Sequence, residues 1–426
     1  MTASPLASAQ PVLDWLIDGA RSAPLAQDVL TELCRRLCAG GLPLWRVVVF
    51  VRTLHPQVVG RRFAWRPDTA TVVTEGTFDL LDRDVFRNSP MTQVSASGAG
   101  LRRRLADAHC PMDYPILRDL RQEGVTDYVV TPLRFTNDQV HFASWSTRQP
   151  GGFTDAEIAV IESIAAPLAR VAEIRASYRV AGNLLAAYVG KNAGERVLAG
   201  RIRRGDTEEI HAAIWLSDMR GFTAHADRLP PRALVDLLNR YFDCQVPPIL
   251  ERGGEVLKFM GDGLLAIFPI GGDANAGKVC AAAFAAAQAA RANIAMLHEI
   301  EGGGAAVRFG LALHVGDVLY GNIGSGDRLD FTCIGPAVNL AARLEKLAGR
   351  LGRSILASQD FAKYCRQDFV PIGRFAVAGF AEEQTAFGLG DESLSDESHN
   401  DESLNDESLG DKSLGDESLA DERKDE

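Results

Sequence analysis

The apolar positions Leu13, Ile17, Leu30, Leu33 and Leu37 recur near a helical spacing, so residues 12–40 are predicted helical. Residues 45–51 (WRVVVFV) form a compact β-branched run and are predicted as a strand. Two further strands are expected at 127–135 (DYVVTPLRF) and 140–146 (VHFASWS), joined through the turn sequence TNDQ. From Asp155 towards Arg179, Ile158, Ile161, Ile164, Leu168, Val171 and Ile174 are spaced by three and four residues. That spacing predicts a long helix, kinked at Pro167, whose apolar stripe can bury against its own domain or a second copy. Helices flanking a strand meander predict a small α+β domain over residues 1–175. Residues 184–206 are expected to break into short helical pieces at Gly190, Gly194 and Gly200. Residues 176–205 therefore read as a connector able to change shape with the first domain.

The pattern changes in the second half. The run HAAIWLSDMRGFTAHAD (211–227) is an apolar strand ending in Asp218, followed by a Gly-containing turn, Arg220-Gly221-Phe222-Thr223, that opens a helix. Pro230 and Pro231 mark a second helix start, and Pro247 and Pro248 should bend or end the helix they interrupt. Gly253 to Gly263 (GGEVLKFMGDG) followed by LLAIF predicts a β-hairpin with Asp262 near its tip. In 330–345 (DFTCIGPAVNLAARLE), Pro336 starts a helix whose Leu340, Leu344 and Leu347 make the buried stripe. Asn339 and Arg343, four apart, share another face.

Charge changes the picture only at the end of the chain. The net charge is −11, but residues 390–426 hold 15 Asp or Glu against Lys412, Arg423 and Lys424, and the rest is near neutral at +1. This excludes a basic nucleic-acid reader. From Asp391 a five-residue unit repeats (DESLS, DESHN, DESLN); one Leu per unit cannot build a core, so a disordered acidic tail is expected. Seven Cys without a C-x-x-C pair point away from zinc ribbons and disulfide frameworks and towards a reducing cytoplasm. Asp14, Asp18 and Arg21 interrupt any signal-like apolar run, and the Ala-rich stretch 279–297 carries Gln288, Arg291 and Asn293. No membrane span is predicted.

An acid at a strand end beside a Gly turn can hold a hard cation while free N–H groups face phosphate oxygens. If the Asp262 hairpin neighbours that strand, Asp218 and Asp262 can share two Mg²⁺ ions, which take few protein ligands and keep waters or substrate phosphates. An amide and a guanidinium one turn apart can hold a sugar and a phosphate together.

These three segments, in this order, resemble the catalytic domain of class III adenylate and guanylate cyclases over roughly residues 206–389. The resemblance implies an α+β fold with a ferredoxin-like, palm-type sheet. It implies metal ligation by Asp218, Asp262 and the Met219 carbonyl, with two Mg²⁺ or Mn²⁺ ions per site. Gly221, Phe222 and Thr223 would then face the triphosphate, Lys258 and Thr332 would read adenine, and Asn339 and Arg343 would orient the ribose and stabilise the transition state. In that family the metal pair comes from one subunit and the other groups from its partner, which implies a head-to-tail homodimer acting on ATP. A cationic Lys258 can donate to adenine N1 and the Thr332 hydroxyl can accept from the exocyclic amine, whereas guanine mismatches both. The Thr at 332 is similar to a bacterial subclass.

The first domain loosely resembles the GAF family in its helix, strand, late hairpin, GGF turn (151–153) and exit helix. Its input is not legible, and His109 and Cys110 read as ordinary residues. One departure from the cyclase pattern is Ala378, standing where many members have a phosphate-contacting Lys; Arg374 is the nearby cation. Two other functions are compatible with these segments: a non-catalytic regulatory module that has kept the fold, and a guanylate cyclase. The Gly-Gly-acid-Glu-Phe turn of diguanylate cyclases is absent, since Gly261-Asp262-Gly263-Leu264 stands there.

Overall fold

The computed structural model describes residues 5–300, 307–326, 328–390 and 392. The expected tail, 390–426, lies outside them except for Gly390 and Glu392.

Two sheets organise the chain. The first contains β1 (Arg46–Arg52), β2 (Val58–Trp65), β3 (Val72–Thr77), β4 (Leu101–Arg103), β5 (Asp127–Arg134) and β6 (Val140–Thr147), in the order β3-β2-β1-β6-β5-β4 and antiparallel throughout. Between β3 and β5 come the one-turn α3 (Asp84–Arg87), α4 (Pro90–Ser97) and α5 (Pro115–Gln122). One face of the sheet carries α1 (Pro5–Ile17), α2 (Ala26–Ala39) and the long α6 (Asp155–Val189). The other face carries α4 and α5. The segment expected as one helix over 12–40 is two, because Gly19 and Ala20 take left-handed φ values of 82° and 51° between them. The expected hairpin 127–146 forms in register, while β2, β3 and β4 were not foreseen.

The α6 helix starts on a capping box, with Thr154 and Glu157 each hydrogen-bonded to the other's backbone. Its stripe Ile161, Ile164, Leu168 and Val171 is buried against the domain's own sheet, and Ile174 is exposed. The helix does not end near Arg179 but continues through Gly182 to Val189, crossing the expected boundary at 175. Only Gly190 breaks it. After that residue α7 (Lys191–Leu198) folds back along α6 with Gly194 inside it, so one of the three glycines expected to interrupt the connector is helical.

The second sheet contains β7 (Thr207–Arg220), β8 (Glu255–Met260), β9 (Gly263–Pro269), β10 (Arg308–Gly324), β11 (Leu329–Ile334), β12 (Ile355–Ser358), β13 (Phe369–Phe375) and β14 (Gln384–Leu389). Its order is β13-β14-β12-β10-β7-β9-β8, with β11 paired to β10. Between β7 and β8 come α8 (Phe222–Arg228), α9 (Pro231–Asp243) and α10 (Val246–Glu251). Pro247 and Pro248 do end the preceding helix, and they sit in the first turn of α10. The remaining helices are α11 (Ala276–Ile300), α12 (Pro336–Arg350) and α13 (Gln359–Ala362).

Strand β7 lies mid-sheet and is buried on both sides. Trp215 and Met219 face a core shared with α9 and α11, whereas Ala212 and Ile214 face a core containing Ala337 and Ala341 of α12. By length and composition α11 is apolar enough to cross a membrane; here Ala283, Ala286, Ala287 and Ala290 pack against the sheet. All seven cysteines are free.

Candidate active site

At its C-terminal end β7 brings Asp218 beside the β8–β9 turn. Met260 pairs with Gly263, so Gly261 and Asp262 form a two-residue hairpin tip in which Gly261 takes φ 67°. Glycine suits that first turn position because it adopts a left-handed φ without steric cost. Gly263 matters for a different reason: a Cβ built on it would press on the Ser217 and Met260 carbonyls, at 3.2 and 3.3 Å, and meet Asp218 Oδ1 at an ordinary contact distance of 3.5 Å.

Asp218 and Asp262 are in hydrogen-bond contact. Burial first, and then the neighbouring Asp262 and Glu345 carboxylates, hold the Asp218 carboxyl well above the usual carboxylate range, with Arg220 opposing. Two carboxyls this close need a shared proton or a cation. Among the described residues there is no cluster of three or more metal-ligating side chains. Two carboxylates suit a cation that completes its shell with water and phosphate oxygens, as Mg²⁺ does.

Beyond Asp218, Arg220 turns back along the sheet. Its guanidinium pairs with Glu345 of α12, Nη1 to Oε1 at 2.7 Å, and donates from Nη2 to the Glu345 carbonyl at 3.0 Å. A Cβ on Gly310 would fall 1.7 Å from Arg220 Nη2, and one on Gly349 would fall 2.7 Å from Nη1, so both glycines clear the path. Arg220 and Glu345 stand inside the two sequence motifs, but nothing in either segment marks them as partners. Tyr241 of α9 was also missed; it is buried near Asp218 and Asp262, and burial and their charges push its hydroxyl up.

The turn after β7 is as expected. Gly221 is left-handed at φ 75° and precedes α8; Phe222 packs partly on the core, while Thr223 is exposed. Lys258 of β8 is half-buried and lies close enough to Cys333 for its charge to offset part of the upward push that burial gives that thiol. The adjacent Thr332 is 4% exposed, and its Oγ1 makes no hydrogen bond. A buried hydroxyl without a partner is costly, and it marks a place where a ligand group can be received.

Helix α12 begins at Pro336 and buries Leu340, Leu344 and Leu347. Asn339 and Arg343 are exposed on it, and among the described residues neither side chain forms a hydrogen bond or ion pair. Within one chain, then, Asp218 and Asp262 come together and Lys258 lies beside the Thr332 strand, while Asn339 and Arg343 face outward. Ala378 is exposed in the β13–β14 loop, and Arg374 on that hairpin lies 3.6 Å from Glu383.

A mixed sheet flanked by helices, with an acidic strand end beside a hairpin tip, is the frame of residues 206–388. These residues match the family described as the adenylate and guanylate cyclase catalytic domain, so this part of the chain is a class III adenylate/guanylate cyclase catalytic domain. An adenylate cyclase of Anabaena cylindrica is 31% identical over 164 residues, covering 38% of this chain and 32% of its own length. An uncharacterized protein of Mycobacterium tuberculosis is 34% identical over 174 residues, 40% of this chain and 31% of its own. The chain thus spans about a third of the length of these curated relatives. Among solved structures, the adenylyl cyclase CyaB from P. aeruginosa is 30% identical over 44% of this chain and 97% of its own, with a TM-score of 0.40.

Proposed function

We propose that the protein is an adenylate cyclase that converts ATP to 3′,5′-cyclic AMP and pyrophosphate. The observation that carries this reading is the Asp218–Asp262 pair, two carboxyls brought into contact where the end of β7 meets the β8–β9 hairpin tip. In the reaction the ribose 3′-oxygen forms a bond to the α-phosphorus, the bond to the β-phosphate oxygen breaks, and pyrophosphate leaves. Asp218 and Asp262, with the Met219 carbonyl, would hold two Mg²⁺ or Mn²⁺ ions. When bound, these would activate the 3′-hydroxyl and neutralise the triphosphate.

The chain's own groups do the rest. The free N–H groups after Gly221, with Phe222 and Thr223, face the phosphates. Lys258 donates to adenine N1, and the unpartnered Thr332 hydroxyl accepts from the exocyclic amine. Asn339 positions the ribose, and Arg343 stabilises the charge that develops on the α-phosphate oxygens. Because Asn339 and Arg343 face away from the chain, they complete the site of a second copy, giving a head-to-tail homodimer with two equivalent sites.

Residues 1–175 act as a GAF-like input domain and 176–205 as the connector. On α6, Ile174, Tyr178 and Tyr188 are exposed apolar residues on one side of the helix, with Ile174 and Tyr188 two heptads apart, and they form the face that meets the second copy. Removal of residues 1–175 should change both dimerisation and rate; if it changes neither, the input role is lost. Free cysteines throughout suit a cytoplasmic setting.

The deciding experiment supplies the purified full chain with ATP or GTP and Mg²⁺ or Mn²⁺, beside an Asp262→Ala control. Cyclic AMP from ATP, lost in the control, is expected. Cyclic GMP as the main product would overturn the base reading, and no product under any condition would leave a regulatory module.

A further inference from the structure

A cavity of about 730 Å³ lies between the first sheet and the α6–α7 turn, within the usual size range of small-ligand sites. Its floor is one face of the sheet, where Val49, Val51, Phe63 and Val73 point towards the helices. Leu168 and Val171 of α6 close one side, and Gly194 and Leu198 of α7 lie over the opening.

The rim is cationic. Arg52, Arg61, Arg175, Arg179 and Lys191 line the cavity against a single acid, Glu195. Arg61 stands on the apolar face itself, opposite Val51 in register, with 23% of its side chain exposed. Its carboxylate neighbour is Glu75 of β3, at 3.1 Å and itself half in solvent. Burial, and then the nearby Arg179 charge, both weaken Arg61's hold on its proton. Arg175 is held by the Ala23 and Pro24 carbonyls at 3.0 and 2.9 Å, which satisfy its N–H groups without cancelling its charge. Arg179 forms no hydrogen bond or ion pair among the described residues.

The lining chemistry discriminates among ligands. A neutral apolar molecule would fill the floor and leave the arginines repelling one another in a drier site. A nucleotide-like polyanion would match the charges and leave the floor unused. Only a molecule with an apolar body and an anionic head satisfies both.

We propose that this cavity binds a small amphipathic organic anion and that its occupancy sets the cyclase rate through α7. The far face of α7 is bound to the catalytic domain. Asn192 donates to Glu255 Oε2 at 3.0 Å, Ala193 is fully buried in the catalytic core, and Arg196 pairs with Glu208 at 2.6 Å and lies over the Tyr320 ring. Glu255 also accepts from the Tyr320 hydroxyl at 2.9 Å, and it stands three residues before Lys258 at the start of β8. Tyr320 pairs with Cys333, the neighbour of Thr332. A ligand under α7 therefore fixes the helix that braces both strands carrying the base-reading residues. The rate effect rests on the cyclase reading; the binding does not.

The test uses the full chain with 1-anilinonaphthalene-8-sulfonate as the fluorescent anion and decanoate against decanol as competitors. Decanoate is expected to displace the dye and decanol to do so at least tenfold less well. Arg179→Glu, on the exposed rim, should weaken decanoate at least tenfold, and Lys191→Glu should act in the same direction, with thermal melts checking that each variant folds. Saturating decanoate should change the cyclic AMP rate of the native chain severalfold. Equal competition by decanol, or unchanged decanoate binding in both variants, would overturn the site. Binding without any rate change would overturn the coupling. If decanoate bound only after residues 393–426 were removed, the occupant would be the acidic tail and the proposal would be wrong. Decanoate binding in a chain that makes no cyclic nucleotide would sink the cyclase reading and leave the site standing.

Discussion

Arg220 and Glu345 join the end of β7 to α12 through an ion pair of 2.7 Å, although 125 residues separate them in sequence. The Glu345 side chain is 9% exposed and that of Arg220 21%, so each depends on the other for charge compensation. The bond connects the strand that presents Asp218 to the helix that presents Arg343. In the proposed dimer those two residues serve different active sites.

Breaking this pair from one side should therefore be costly. Arg220→Ala is expected to lower stability by about 3 kcal/mol, since an unpaired buried carboxylate remains. The double change Arg220→Met with Glu345→Met should recover most of the loss. Urea unfolding of the two single variants and the double gives the coupling; strict additivity would show that the pair does not interact. Gly310→Ala should behave like the Arg220 change, because its Cβ occupies the guanidinium's place.

A site divided between subunits makes a distinctive prediction for mixtures. Asp262→Ala and Arg343→Ala should each lose at least about a hundredfold in kcat as homodimers. Mixed in equal amounts and allowed to exchange, they should recover about a quarter of native activity, because random pairing puts one intact site in half the dimers. A mixture as inactive as its components would rule out the division.

Base selection should respond to Lys258. Lys258→Glu replaces a donor to adenine N1 with an acceptor suited to the guanine N1–H. It is expected to cut kcat/KM for ATP by roughly 10- to 100-fold and to raise the GTP to ATP ratio. Competition between the two nucleotides, read as the ratio of cyclic products, measures this directly. An unchanged ratio would remove Lys258 from base reading.

Two buried histidines set an acid limit on the fold. His141 is 1% exposed and accepts from the Arg52 amide at 3.2 Å, and His314 is 5% exposed with Nδ1 2.8 Å from Ser358 Oγ. Burial pushes both imidazoles down from 6.5 to about 4. Arg52 adds to this at His141 while Glu173 opposes it; at His314, His211 and Lys363 add to it while Asp360 opposes it. The unfolded chain therefore takes up these protons first as pH falls. The stability they contribute is complete above about pH 6.5 and is lost towards pH 4, at up to about 1.4 kcal/mol per pH unit for each. Urea midpoints at pH 7.5, 6 and 5 should fall accordingly. Substitution His314→Gln should flatten the profile, and an unchanged slope would exclude His314 as a source.

The parts legible in the sequence are those whose signal is local. Gly261 with Asp262 declares a hairpin tip, Pro336 declares a helix start, and Leu340, Leu344 and Leu347 declare its buried face. The unforeseen parts depend on distant neighbours. Strand β2 (VVGRRFAW) has two arginines and a glycine where alternation would be read, and it is a strand because β1 and β3 pair with it on both sides. Gly194 was expected to break the connector, yet packing of α7 against α6 keeps it helical. The Arg220–Glu345 pair left no local trace, since neither residue's own segment names the other.

A single residue, Gly190, separates the 35-residue α6 from α7, at φ 88° and ψ 158°, a backbone region that side-chain-bearing residues avoid. Everything upstream of it is joined to a rod about 50 Å long that transmits rotation as well as position. Each residue inserted into or removed from that rod turns the upstream domain by about 100° relative to the catalytic sheet. Chimeras carrying a foreign sensor ahead of α6 should therefore gain and lose responsiveness with the period of the helix, so that angular phase, not linker length, is what a transplanted sensor has to match.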